Sequence, residues 1–163
     1  MNVDINVERK LEVALPLSEV RPLLDDLEGT LRRFPKLRKL TRLGDREYRW
    51  DMAIIGSKTA NIAHEVVYAA RYTVDARHNE LRFKPMPEHG NATLEGRLRL
   101  MDHGATTQLA FEVRGRLRDV PVPLMYRLLA PAFIQGKFTR LVETFLETTR
   151  DAVLASPGIA LRS

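Results

Sequence analysis

Val3, Ile5, Val7, Leu11, Val13 and Leu15 share one parity along the chain, and Asp4, Asn6, Glu8, Lys10 and Glu12 take the other. An apolar face with a period of two predicts a half-buried β-strand at the start. Arg9 is the one charged residue on that face. The period then lengthens. In PLSEVRPLLDDLEGTLRRFP, Val20, Leu23, Leu24 and Leu27 recur at helical spacing, with Ser18 as the expected N-cap. Pro22 at the edge of the first turn predicts a short or irregular helix, Gly29 a division from a second short piece, and Pro35 the stop.

From about residue 36 to 118 the period is two again. Tyr48, Trp50, Met52 and Ile54 alternate with Arg49, Asp51 and Ala53, and Gly56-Ser57 reads as a turn. Ile62, His64, Val66, Tyr68, Ala70, Tyr72 and Val74 predict one long strand, with a turn at 76–79 after it. Leu81 and Phe83 precede a loop over 85–91, inferred from its prolines and glycine. Leu94, Leu98 and Leu100, a turn at 102–104, then Leu109, Phe111, Val113 and Leu117 complete the run. The opposite face of these last two strands carries Glu95, Arg97, Arg99, Glu112, Arg114 and Arg116, which cross-strand charge pairing explains without a ligand. The chain ends on a helical period. Leu124, Leu128, Ile134, Phe138, Leu141, Val142, Phe145 and Val153 fall at spacings of three and four, with Pro131 expected to kink or interrupt them.

This order predicts one α+β domain over residues 1–155, followed by a tail at 156–163. A curved antiparallel sheet of about six or seven strands grips a long C-terminal helix, with two short helices after the first strand. A curved sheet must cover its apolar face, and the last helix is the one element long enough to do so. The sheet bends away from the helix, so a cavity is expected between them. An N-terminal strand, "LPLSEVRPLLDDLEGTLRRFPKLRKLTRL", hairpins, and "FIQGKFTRLVETFLETTRDAVLA" together resemble the START-like superfamily, the helix-grip group of polyketide cyclases/dehydrases and lipid transport proteins. The resemblance runs over about residues 3–154, with Phe34 where that group usually has an aromatic before the proline. It implies the fold strongly and the chemistry weakly, because the group includes lipid, sterol and quinone binders as well as aromatase/cyclases.

Composition narrows the classes. Of 163 residues, 44% are apolar and 29% charged, the values of a globular chain rather than a disordered one. A net charge of +5 permits contact with polyanions or anionic lipid without demanding it. There is no cysteine, hence no disulfide, thiolate metal site or cysteine nucleophile. MNVDINVERK has no continuous apolar core and does not read as a secretory signal. The apolar stretch at 120–134 contains Arg127 and three prolines and is too short to span a bilayer, so a soluble cytoplasmic protein is expected.

His64 is the leading candidate for chemistry. It shares a strand face with Val66, Tyr68 and Tyr72, and is either a ligand partner or general base, or a histidine satisfied by its neighbours. With Tyr48, Trp50, Tyr68, Tyr72, Phe83, Phe111, Phe138 and Phe145 it forms the expected ligand-binding set. Arg9 either anchors an anion inside the cavity or snorkels to water. Gly136 either lets the last helix pack closely on the sheet or leaves room for a ligand. GSKT at 56–59 lacks the glycines of a phosphate loop and reads as a hairpin turn. His78, His89 and His103 fall in predicted turns without metal-ligand spacing, and neither a metal nor a cofactor is indicated. Asp51 and Glu65 have outward parity, which disfavours paired-carboxylate hydrolysis.

In LRRFPKLRKLTRL, the apolar positions Leu31, Phe34, Leu37, Leu40 and Leu43 are the expected buried side, at a spacing that suggests a bulge. Arg32, Arg33, Lys36, Arg38, Lys39 and Arg42 form a basic face, read as the solvated side of this transition or as a rim for transient contact with an anionic membrane. Nucleic acid is disfavoured, because the basic residues are spread over many elements without an aromatic-basic recognition motif. The expected function is binding or carriage of a hydrophobic or amphipathic small molecule (lipid, quinone, polyketide-like) without catalysis. The alternatives are a cyclase, aromatase or dehydratase using His64 with the tyrosines, and a basic interaction module. The segments at 85–91 and 120–134 are the expected gates, and no oligomeric state is implied.

Overall fold

The first strand, β1 (Val3–Val13), follows its parity: Val3, Ile5, Val7 and Val13 are buried. Arg9 is exposed. Its guanidinium donates to the Glu8 carbonyl at 2.8 Å and to Glu143 Oε2 at 3.4 Å, so it bridges β1 to the last helix from outside and does not anchor in the cavity. The structure, a computed structural model, describes residues 1–53, 55–57 and 62–155. Ile54, the Lys58-Thr59 half of GSKT and the tail at 156–163 lie outside the described residues.

After β1 come α1 (Leu17–Val20), a 3₁₀ turn over Arg21–Leu24, and α2 (Leu27–Leu31). Pro22 lies in the first turn of the 3₁₀ piece, where its missing N–H costs nothing. Ser18 is not the cap: Pro16 occupies that position and no side chain caps α1. The break falls at Asp25–Asp26 rather than at Gly29, which lies inside α2. Asp26 caps that helix, its Oδ1 accepting from Gly29 N at 3.1 Å.

The sheet continues with β2 (Leu37–Gly44), β3 (Glu47–Met52), β6 (Val67–Asp75), β7 (Glu80–Gly90), β8 (Ala92–Asp102) and β9 (Thr107–Leu117). A small hairpin of β4 (Ile55–Ser57) and β5 (Ile62–His64) interrupts it. All neighbours are antiparallel, in the order β1-β9-β8-β7-β6-β3-β2. Register shifts in β2 between Leu37 and Lys39 and between Arg42 and Gly44 are the bulges that the spacing of three suggested; the second leaves Leu43 exposed rather than buried. Gly56-Ser57 belongs to β4 rather than to a turn. The long strand expected over 62–74 is broken at Glu65–Val66. Asn91 inserts there, donating from Nδ2 to the Glu65 carbonyl (2.6 Å) while its Oδ1 accepts from Val67 N (2.9 Å).

Residues 85–90 are strand, not loop, and His89 lies in β7 rather than in a turn. The prolines are tolerated because β7 pairs with β8 only from Glu80 to Phe83, so Pro85 and Pro87 interrupt no ladder on that side. Gly96 in β8 and Gly115 in β9 both have inward parity. A Cβ at Gly96 would run into the Glu112 carbonyl and the Phe83 ring, and one at Gly115 into the Thr93 carbonyl and Leu94. The backbones approach too closely there for any side chain, as a strongly curved sheet requires.

The last helix, α3 (Ala130–Ala155), buries Ile134, Phe138, Leu141, Val142, Phe145 and Val153. Pro131 does not kink it. It sits in the first turn, where proline is favoured, so the helix starts at Ala130. Leu124 and Leu128 therefore belong to a separate 3₁₀ turn (Leu124–Tyr126) and its exit, and both face solvent. Gly136 also faces solvent, and a Cβ there would meet nothing within 4 Å. It is two residues from Ile134 and from Phe138, about 200° around the helix from each. Neither of its expected roles fits, and it costs helix propensity without return. Gly136→Ala is expected to raise stability by about 0.5–1 kcal/mol, read as a higher denaturant midpoint with unchanged slope.

Candidate ligand cavity

Inward parity on β3, β6, β7 and β9 brings Trp50, Tyr68, Tyr72, Phe83 and Phe111 to one face. α3 adds Phe138 and Phe145, and the exit from α2 adds Phe34. Six of these close into a ring. Phe34 meets Trp50 edge-on with centroids 5.7 Å apart, and Trp50 Nε1 donates to the Tyr72 hydroxyl at 2.7 Å. Tyr72 packs on Phe83 (5.6 Å), Phe83 on Phe111 (6.2 Å), Phe111 on Phe145 (5.3 Å), and Phe145 returns to Phe34 (5.3 Å). Tyr68 stacks on Trp50 at 5.4 Å. Such offset and edge contacts each add about 0.5–1.5 kcal/mol beyond simple burial.

The space between these rings and α3 is about 40 Å³, room for about one water. Its other lining residues are Thr30, Leu31, Met52, Leu81, Leu94, Leu98 and Val113. Thr30 gives its hydroxyl proton to the Leu23 carbonyl at 2.7 Å. The remaining polar groups are the Trp50 indole N–H, already given to Tyr72, and two phenols. Burial raises both Tyr68 and Tyr72 far above the ordinary tyrosine value, so both stay protonated and keep a proton to offer an acceptor. Among the described residues, the Tyr72 hydroxyl has no acceptor for its own proton.

Two members of the expected set lie elsewhere. Tyr48 is buried on the same face of β3 as Trp50 but does not line the cavity; its ring centroid is 6.1 Å from that of Tyr72. His64 is buried but does not line the cavity, because it ends β5 in the small hairpin rather than continuing the β6 face. Burial lowers its pKa, although the Asp119 carboxylate opposes the shift, and its Nε2 has no hydrogen-bond partner among the described residues. Thr30, Leu31 and Phe34 complete the cavity from the short helices, and helical spacing alone could not assign them to it.

Three of the six cations on the basic face of LRRFPKLRKLTRL are ion-paired. Arg32 pairs with Glu28 (2.8 Å), Arg38 with Glu65 (3.0 Å) and Arg42 with Asp45 (3.7 Å), while Arg33 donates to the Thr30 hydroxyl (3.3 Å). Lys36 and Lys39 are exposed, and Lys36 takes a left-handed conformation (φ 68°) after Pro35. On the outer sheet face Arg97 pairs with Glu112 (3.0 Å) and Arg114 with Glu95 (3.6 Å), as cross-strand register requires. Among the described residues no group of three His, Cys, Asp or Glu side chains is placed to hold a metal ion. Nor is any described helix long and apolar enough to cross a membrane.

A seven-stranded curved antiparallel sheet closed by one long C-terminal helix, with short helices after the first strand, is the START-like, helix-grip fold. Solved structures share it. A START superfamily protein from Mycobacterium smegmatis is 17% identical with a TM-score of 0.64, over 91% of this chain and 98% of that one. An aromatase/cyclase from Streptomyces sp. R1128 is 18% identical with a TM-score of 0.56, over 93% and 92%. Norcoclaurine synthase from Thalictrum flavum, in complex with dopamine and hydroxybenzaldehyde, is 16% identical with a TM-score of 0.59, over 94% and 88%. No protein-family model matches the sequence, and no curated protein matches it.

Proposed function

We propose that this protein binds a small hydrophobic molecule bearing a hydrogen-bond acceptor, in the cavity between sheet and α3, without catalysing its conversion. The observation that carries this reading is the aromatic ring around an apolar space, with the Tyr72 hydroxyl free to donate. Aromatic walls favour planar or polyunsaturated ligands, and a phenolic donor fixes orientation without the cost of many buried polar groups. Norcoclaurine synthase, a protein of the same fold, holds small aromatics of this kind. The catalytic alternative named His64, which is not on the wall, and the described lining contains no His, Asp or Glu to move a proton. A typical ligand needs roughly 300 Å³ or more, so binding requires the rings or α3 to move outward.

The chain's single tryptophan sits in this ring, which makes the test direct. Titration with a benzoquinone, a flavonoid and a free fatty acid should change Trp50 emission saturably with one of these classes. Tyr72→Phe, which removes the acceptor of Trp50 Nε1 and the donor to the ligand, should weaken that binding about 5- to 10-fold. Flat titrations, together with nothing released on organic extraction of the purified protein, would sink the reading.

A further inference from the structure

Six large hydrophobic side chains are exposed among the described residues, and four of them fall within one short segment. Leu124, Met125, Leu128 and Leu129 are 79%, 78%, 96% and 67% exposed. The segment is not a frayed end. Val120, Val122 and Ala130 are buried on either side of it, and Val120 N donates to the Met1 carbonyl at 2.8 Å. Its backbone is folded: Tyr126 N donates to Pro123 O, Leu129 N to Tyr126 O, and Phe133 N to Leu129 O, at 2.9 to 3.1 Å. Prolines 121, 123 and 131 stiffen it further. The four side chains are thus held outward by a formed structure, and an exposed apolar cluster of this kind marks a contact surface.

Charge identifies the partner. From Val120 to Val142 the chain has no acidic residue, and its cations are Arg127, Lys137 and Arg140. None of the three pairs with an acid among the described residues, and Lys137 lies over the Phe133 ring at 5.3 Å. Asp119 lies just before the segment. A second copy of the chain fits poorly, because a two-fold contact would set Arg127 near its own mate with no acid to offset it. Leucines at the tip, cations beside them and acids excluded are the composition of a surface that enters an anionic lipid leaflet. We infer that residues 124–129 insert into an anionic membrane surface, with Arg127, Lys137 and Arg140 at the level of the lipid headgroups. This moves the membrane contact from the face at 32–42, where three of the six cations are ion-paired and no exposed apolar cluster accompanies them, to the lead-in of α3, and it holds whatever the cavity binds.

The test is sedimentation with vesicles of phosphatidylcholine alone and of phosphatidylcholine mixed with phosphatidylglycerol. The protein is expected to bind the mixed vesicles far better, with affinity falling as salt rises. Leu128→Asp, which disturbs no buried contact, should reduce that binding at least about 10-fold, and Arg127→Gln about 5-fold. Because the chain has no cysteine, Leu128→Cys carrying a polarity-sensitive dye reports insertion. Its emission should shift to the blue on mixed vesicles, while dye at Ala105→Cys, in the turn at the far end of β9, should not shift. Equal sedimentation of wild type and Leu128→Asp would overturn the inference. So would a dimer that Leu128→Asp dissolves in the absence of any vesicle binding, or acidic-protein binding without lipid binding.

Discussion

Phe138→Ala is expected to lower stability by about 3–5 kcal/mol, the range for removing a buried aromatic ring from a core. Phe138 is fully buried and lines the cavity from α3. The ring's volume would add to a space that already exists, and the opposite wall is formed by paired strands that cannot collapse into it. Phe138→Leu, which keeps most of the volume, should cost under about 1.5 kcal/mol. For a chain of 163 residues each kcal/mol corresponds to about 2–4 °C of Tm, so thermal unfolding separates the two variants easily. The enlarged cavity is apolar and should take up benzene or xenon, partly restoring Tm. A loss for Phe138→Ala no greater than that for Phe138→Leu would show that α3 settles onto the sheet when the ring is removed. The aromatic wall would then be a soft one.

Much of this wall was legible in the chain. A period of two assigns Trp50, Tyr68, Tyr72, Phe83 and Phe111 to inner strand faces, and the period of α3 assigns Phe138 and Phe145 to the helix face that meets them. The same parity rule put Tyr48 on the right face without showing that it lies beyond the cavity, and it carried His64 across a strand break. Parity says which face a residue takes, but not where the strand breaks or how far along the sheet the cavity extends. The break at Glu65–Val66 is made by the Asn91 side chain, a contact 26 residues away that no local pattern reveals. Volume was equally out of reach: the curved sheet predicts a gap, whereas side-chain packing across the whole interior reduces it to about 40 Å³.

The departures around the N-terminal part of α3 have one cause. Spacings of three and four run through Leu124, Leu128 and Ile134 as though one helix carried them. Pro131 resets the register, and the residues before it turn outward. Apolar periodicity cannot distinguish a side chain buried in protein from one reserved for another surface, because both are hydrophobic for the same reason. Gly136 follows the same logic: on the correct register it lies on the solvent face, where neither packing nor a ligand accounts for it.

Glu80→Gln is expected to cost about 2–3 kcal/mol at neutral pH, with a pH dependence that identifies the cause. Glu80 has the outward parity of β7, yet its side chain is only 2% exposed, because Arg82, Arg97 and Arg99 close over it. Arg82 Nε lies 2.9 Å from its Oε2, and Arg97 and Arg99 reach Oε1 at 3.3 and 3.5 Å. Burial alone would raise the carboxyl's pKa; the Arg82 hydrogen bond and the three guanidinium charges outweigh it and hold the group below its ordinary 4.5. The folded state thus binds the proton more weakly than the unfolded chain. The stabilisation is complete above about pH 4.5 and is lost as pH falls through the lower folded value. Glutamine is nearly isosteric but places an amide donor against guanidinium donors, and it cannot titrate. Denaturant unfolding at neutral pH should therefore show wild type above Glu80→Gln, with the gap narrowing as the pH is lowered past 4.5 and little affected by salt. A gap that is constant with pH would mean that Glu80 contributes by packing alone. A gap that vanishes in high salt would mean that the arginine cover admits water.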